Sequence, residues 1–390
     1  MTSDLSIVKS GLIGRMEEVC RQLLPDGRLE GGQWVSFNPV TSDYRPGRLP
    51  ALKVRISGGD IGAWIDWRSG DKGDALGLVA YILTGDRRNA KETLAWGRDF
   101  LGLTRMSREE RAALQRNAEQ HRIRRDRDAE KARQRKLQSA DRLFFAKPST
   151  TETGPALCPQ GTFALGENSP AERHALAYLA ARAVDFSAIA NVNRLSFRFS
   201  PATEWWKGAT WKTDGGRKYK AERGPMFPAI HAAMRNAMGI VTSCHVTFLD
   251  PIAPKKAPVT PAKLMWGEAR GAVIEIATGP SAKPYWQADV AGICDPLIIA
   301  EGIETAGSFA APCPEARCWA GGSLAGVMHA PAGLDCVEWI LFARDNNAGN
   351  ASAQKQFEAA LEALEQHGKR VVVEASHVGD DFNDLARGEV

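Results

Sequence analysis

The chain has 390 residues, 44% of them hydrophobic and 25% charged, with a formal net charge of +4. These values describe a globular protein of two or three domains and exclude a disordered or fibrous chain. No run of 18 or more apolar residues occurs and the first residues form no apolar signal core, so the sequence predicts a cytoplasmic protein without a membrane partner. The seven cysteines include no CxxC pair, which argues against a disulfide framework and against structural zinc.

Residues 1–103 read as a small α+β module. An apolar-periodic helix is expected around Ile7–Leu24, followed by strands at Gln33–Phe37, Leu52–Ile56 and Ala63–Trp67. Asp74 is placed to cap a helix over Ala75–Leu83, and another helix follows from Asn89 to Phe100. Residues 104–147 form a basic helical linker: from Arg105 to Lys147 there are 14 Lys and Arg against 7 Asp and Glu, and no Pro or Gly interrupts Ser107–Leu143. Ser107 and Glu110 make a capping-box pattern at its start. Within it, Arg122, Arg124 and Arg125 are candidates for contact with nucleic-acid phosphates.

Residues 148–295 form a mixed α+β region, with a helix over Pro170–Arg182 and strands at Leu195–Phe199, Ile240–Leu249 and Ala272–Ala277. His245, on an apolar strand, reads as a hydrogen-bonded core residue. In residues 296–390 the apolar runs Leu297–Ala300, Trp339–Ala343 and Val371–Val373 alternate with helices at Ile303–Ala311 and Ala351–His367, the second closed by Gly368. That alternation predicts a parallel sheet flanked by helices. The whole is an α/β and α+β multidomain chain.

Ligands of such sheets gather beyond the carboxyl ends of the strands. There the sequence places Glu301 after the first strand, Asp345 after the second, and Asp381 and Asp384 after the third. Carboxylates converging on one edge repel unless a cation lies between them, and hard oxygen donors select Mg²⁺, with Mn²⁺ as a substitute.

The runs Leu297–Ala306, Phe342–Gly349 and Gly379–Asp384, in that order and spacing, resemble the Toprim series of bacterial and phage- or plasmid-type primases. The resemblance implies that Glu301 is a general acid/base or metal-orienting group and that Asp345 begins the metal-holding DxD-type element. The second acid of that element falls on Asn347, which offers a carbonyl oxygen but no charge. It further implies that Arg198 and Lys263 approach template or nucleotide phosphate. The N-terminal module resembles a primase zinc-ribbon domain without its cysteines, so Trp34, Phe37, Trp64 and Trp67 would form a core in place of the metal, or offer rings to unpaired bases. Glu304 falls in the first turn of the helix after Glu301, where it favours the dipole.

The function these features imply is a Mg²⁺-dependent primase-like nucleotidyl transferase that uses nucleotide triphosphates on single-stranded DNA in replication of a mobile element, beside a helicase or polymerase. A non-catalytic DNA-binding accessory protein and a Toprim-type nuclease are the alternatives. No Walker A pattern exists in the chain.

Overall fold

Two tryptophans and the apolar faces of four short helices organise the first part of the chain. The computed structural model describes residues 4–42, 44–103, 108–147, 158–214, 217–344 and 351–375, and the chain divides into two units, 1–130 and 131–390.

In the first unit α1 (Asp4–Gly14) and α2 (Met16–Leu23) replace the single helix expected there. Gly11 and Gly14 weaken helix continuity, and the break at Arg15 lets Val8 and Leu12 from one helix and Val19 and Cys20 from the other reach one core. An antiparallel sheet follows in the order β1 (Arg28–Glu30), β2 (Gln33–Ser36), β3 (Leu52–Arg55), β4 (Trp64–Asp66), β5 (Lys72–Gly73). The helices α3 (Ala75–Thr84) and α4 (Ala90–Phe100) are capped by Asp74 and Asn89, whose side chains accept from Gly77 N–H at 3.0 Å and Glu92 N–H at 3.2 Å. Trp34 and Trp64 are buried, and Trp64 stacks on Tyr81 with ring centroids 5.0 Å apart. Phe37 is half-buried, and Trp67 is 69% exposed, so the expected four-ring core is built from two tryptophans. The reason is strand parity: Trp64 points to the helices, while Trp67 lies beyond the end of β4.

The linker expectation corresponds to α5 (Arg108–Phe144), whose last turns bury Ala140, Leu143 and Phe144 in the second unit. The capping residue Ser107 lies outside the described residues. The second unit then runs through β6 (Phe163–Ala164), α6 (Pro170–Ala181), β7 (Phe197–Glu204), β8 (Thr210–Asp214), β9 (Arg217–Glu222), β10 (Met226–Asn236), β11 (Val241–Phe248), β12 (Lys263–Gly267) and β13 (Ala272–Thr278). It continues with α7 (Tyr285–Val290), β14 (Asp295–Ala300), α8 (Ile303–Ala310), β15 (Arg317–Ala320), α9 (Leu324–Met328), β16 (Val337–Arg344), α10 (Ala351–Glu365) and β17 (Val371–Ala375).

Ten of these strands share one sheet in the order β12-β11-β10-β13-β15-β14-β16-β17, with β7 on the same edge of β10 as β13 and β6 on β7. The β15-β14-β16-β17 part is parallel, as the alternation of strands and helices predicts, and the rest is antiparallel. β10 joins the parts: its first residues pair with β7, and Arg235 and Asn236 pair with β13. No helix among the described residues is long and apolar enough to cross a membrane.

The junction between the antiparallel and parallel parts carries a buried ion network. Arg317 of β15 has no exposed surface. Its Nη1 donates to Glu275 Oε1 of β13 at 3.1 Å and to the Lys283 carbonyl at 2.9 Å, and its Nη2 to Asp295 Oδ2 of β14 at 2.7 Å. Glu275 also accepts from Asn193 at 2.7 Å and from the Tyr285 N–H at 3.1 Å. Burial pushes the Glu275 carboxyl up to about 7, against the pull of Arg317.

Removing one member of such a network strands the others without water. Arg317→Met is therefore expected to destabilise the second unit by about 3–5 kcal/mol, read by calorimetry of the full chain, which can resolve the two units. In the first unit Trp64→Ala is expected to cost about 3–5 kcal/mol and Trp67→Ala under about 0.5 kcal/mol. A large loss from Trp67→Ala would show that its exposed ring is held by contacts outside this arrangement.

Candidate active site

The parallel strands present their carboxyl ends along one edge, and Glu301 stands at that edge, one residue beyond β14. Its backbone is fixed by the neighbouring strand. The Gly322 N–H donates to the Glu301 carbonyl at 2.8 Å, and the Gly321 N–H to the Ala300 carbonyl at 2.9 Å. Gly322 has φ +76°, and a Cβ there would meet Met234, Met265 and His245, so the turn is pressed against the face of β10–β12. Partial burial raises the Glu301 carboxyl above its ordinary range, opposed by the charge of Lys263. With Arg344, Gln354 and Phe357, Glu301 lines a cavity of about 10 Å³, room for about one water. The Arg344 guanidinium is held there by Gln354 Oε1 at 2.6 Å and lies 4.6 Å from the Phe357 ring centre.

One turn further on, Glu304 does more than favour the helix dipole. It is buried in the first turn of α8, and its two oxygens gather three groups from other elements. Lys263 Nζ of β12 donates to Oε2 at 2.7 Å, and Tyr178 Oη of α6 donates to Oε1 at 2.8 Å. Lys256 Nζ, in the loop between β11 and β12, stands 3.7 Å from Oε1. Burial alone would raise this carboxyl, but the two lysines outweigh it and hold the group well below the usual carboxylate range. Tyr178 is shifted the other way, upward, by burial and by the Glu304 charge. Two cations thus meet one buried anion beside Glu301.

His245 is buried on β11 as expected of a core residue, but its Nδ1 has no hydrogen-bond partner among the described residues, so the expected hydrogen bond is corrected there. Burial and the charge of Lys263 lower its pKa to about 4, which keeps the ring neutral. The buried histidine with a full set of partners is instead His231, held by Thr203 Oγ1 at 2.8 Å and the Leu143 carbonyl at 3.1 Å.

Lys263 and Arg198, both expected to approach template or nucleotide phosphate, lie apart by sheet parity. Cross-strand partners share a face: Lys263 pairs with Thr247, and Thr247 with Ile230, whereas Arg198 pairs with His231, one residue on. They therefore lie on opposite faces. Arg198 donates to Thr162 Oγ1 at 2.8 Å and to the Thr162 carbonyl at 2.7 Å, with its guanidinium 5.7 Å from the Phe145 ring centre. Arg122, Arg124 and Arg125 are exposed on α5, with Arg122 paired to Glu119 at 2.7 Å.

Asp345, Asn347, Asp381 and Asp384 lie outside the described residues, in the segments that follow β16 and β17. Among the described residues no three His, Cys, Asp or Glu side chains converge as metal ligands. Lys256 and Tyr178 were not legible as site residues. The Pro-Lys-Lys-Ala-Pro run gave the only hint of the first, and nothing local marks the second.

Residues 296–389 match the family model of the Toprim domain, and residues 162–276 match a domain family of unknown function, DUF7146. No curated protein matches the chain. Among solved structures, the zinc-binding and RNA polymerase domains of Aquifex aeolicus primase are similar at 11% identity, covering 100% of this chain and 83% of that one with a TM-score of 0.35. The primase fragment of the bacteriophage T7 primase-helicase is similar at 14% identity over 62% of this chain and 79% of its own, with a TM-score of 0.34. A DnaG primase catalytic domain bound to single-stranded DNA is similar at 16% identity over 57% and 72%, with a TM-score of 0.35. These superpositions are loose, and the family match is what identifies the domain. That match and the parallel pairing of β14, β16 and β17 make residues 296–389 of this chain a Toprim domain.

Proposed function

We propose that the chain is a Mg²⁺-dependent nucleotidyl transferase of the primase type, which builds primers from nucleotide triphosphates on single-stranded DNA of a mobile element. The observation that carries this reading is the pairing of Lys263 and Lys256 with buried Glu304, beside Glu301 at the carboxyl edge of the parallel strands. A cationic pair next to a hard oxygen donor suits a polyphosphate and its counter-ion.

Glu301 fits a divalent cation: it is a carboxylate whose burial disfavours its charge, a penalty that a bound cation relieves. Asp345, Asp381 and Asp384 would add oxygen donors, and Asn347 a neutral one. Bound there, Mg²⁺ would supply charge stabilisation as the primer 3′-hydroxyl displaces pyrophosphate. The chain's own part is positioning. Lys263 and Lys256 bind phosphate oxygens, Glu304 fixes the Lys263 ammonium, and Tyr178 fixes Glu304. Glu301 orients the reacting end.

Asn347 favours a second reading, in which the weakened acidic set no longer catalyses and the chain binds DNA only. The two readings separate on metal. Purified protein is incubated with single-stranded DNA and labelled nucleotide triphosphates in Mg²⁺ or Mn²⁺; oligonucleotide products are expected, reduced at least about 100-fold in Glu301→Gln and Asp345→Ala. No product with either metal, together with DNA binding that survives EDTA, would favour the binding reading.

The Glu304 cluster gives a pH signature independent of activity. Its carboxyl pKa is lower folded than unfolded, so its stabilisation is fully present above the unfolded value of about 4.3 and is lost as pH falls below it. The unfolding temperature of the wild type is expected to fall more between pH 6 and pH 3 than that of Glu304→Gln. Parallel curves would mean that the ion pairs add nothing to stability.

A further inference from the structure

β8 and β9 form a two-stranded ribbon inserted between β7 and β10, and it pairs with no other strand among the described residues. All five residues of β8 are exposed. A ribbon without a packed face is marginal in water, so its direction has to be set at its root.

That root is closely built. Fully buried Glu204 accepts from Lys220 Nζ at 2.6 Å and from the Gly224 N–H at 2.9 Å. The Trp205 indole donates to the Pro261 carbonyl at 3.0 Å, and a Cβ on Gly224 would collide with the Trp205 carbonyl. Trp206 meets Phe248 and Trp266 edge-on, with centroids 5.7 and 5.4 Å away. Pro261 lies two residues before Lys263, so the root of the ribbon is bonded to the segment that carries Lys263 to Glu304.

The surface this root presents is basic and aromatic. From Trp205 to Gly224 there are six Lys and Arg against two acids. Trp211 pairs with Lys220, and Lys212 with Tyr219, so on each face of the ribbon a ring stands beside a lysine. Trp211 is 38% exposed and Tyr219 46%, and Lys220 Nζ stands 5.5 Å from the Trp211 ring centre. Rings alternating with cations answer the two surfaces of an unpaired strand, the base faces and the phosphates. A duplex buries its base faces and would leave the rings without a role.

We propose that the β8–β9 ribbon is a grip for single-stranded nucleic acid, set beside the Lys263 segment. It binds by phosphate contacts from Lys207 and Lys212 and by base stacking on Tyr219. The assignment rests on the single-strand reading of the site, but the ribbon itself needs no metal.

The test is fluorescence anisotropy with a labelled single-stranded DNA 20-mer in EDTA over a range of NaCl, with a duplex of equal length beside it. The double variant Lys207→Glu/Lys212→Glu is expected to weaken single-strand binding at least tenfold. Its log–log salt slope should become shallower by about 1.4, for two lost phosphate contacts. Tyr219→Ala is expected to weaken binding about fivefold or more with the slope unchanged. All these side chains are exposed, so folding is not at stake. Unchanged affinity in every variant overturns the proposal, and so does a loss equal for duplex and single strand that Tyr219→Ala does not share. Primer synthesis by the wild type is scored separately: a chain that grips through the ribbon but makes no primer keeps this proposal and defeats the nucleotidyl-transfer reading.

Discussion

One guanidinium without solvent holds the second unit together. Removing Arg317 from water costs several kcal/mol, and the cost is met only when Glu275, Asp295 and the Lys283 carbonyl all stand in place. Those three groups come from β13, β14 and the loop before α7, so the network closes only if the antiparallel strands and the parallel strands share one sheet. The candidate site depends on that closure. Lys263 comes from the antiparallel part and Glu304 from the helix that follows β14, and their 2.7 Å contact spans the two parts that Arg317 ties together through Glu275 and Asp295.

The sequence was most legible where strands are short, apolar and followed by turns. Leu297–Ala300, Trp339–Ala343 and Val371–Val373 fall inside β14, β16 and β17, and their parallel pairing follows from the helices between them. β15 was not legible. It is four residues long and opens on Arg317, whose charge reads as surface until its two carboxylates are seen. β10 was hidden by composition: Pro228 and three alanines give a run with little strand preference, and the sheet accommodates the proline where pairing with β7 shifts register. The β8–β9 ribbon did carry a signal, since Asp214-Gly215-Gly216 between lysine-rich runs is a hairpin pattern.

For the site, position along the chain was informative and partnership was not. Glu301 could be found because it directly follows an apolar strand. The role of Glu304 could not, because its ion-pair partner is 41 residues away and its hydroxyl donor 126. Arg198 and Lys263 look alike in sequence, and only the pairing of β7, β10, β11 and β12 shows that they face opposite ways. In the first unit the same gap appears in Asp66, which is buried and accepts from Asn38 at 2.6 Å, a polar contact that no local pattern announces.

The Lys263–Glu304 pair also bears on which anions the proposed site would retain. A ligand arriving there does not meet a bare ammonium; it competes with a carboxylate already at 2.7 Å and itself anchored by Tyr178. A chloride or a simple carboxylate would exchange one negative charge for another and gain little. A polyphosphate, the ligand proposed for this site, would bring several charges at once and would engage Lys256 and Lys263 together while Glu304 stays in place. In the proposed reading the built-in counter-ion would act as a threshold, making affinity rise steeply with the valence of the ligand.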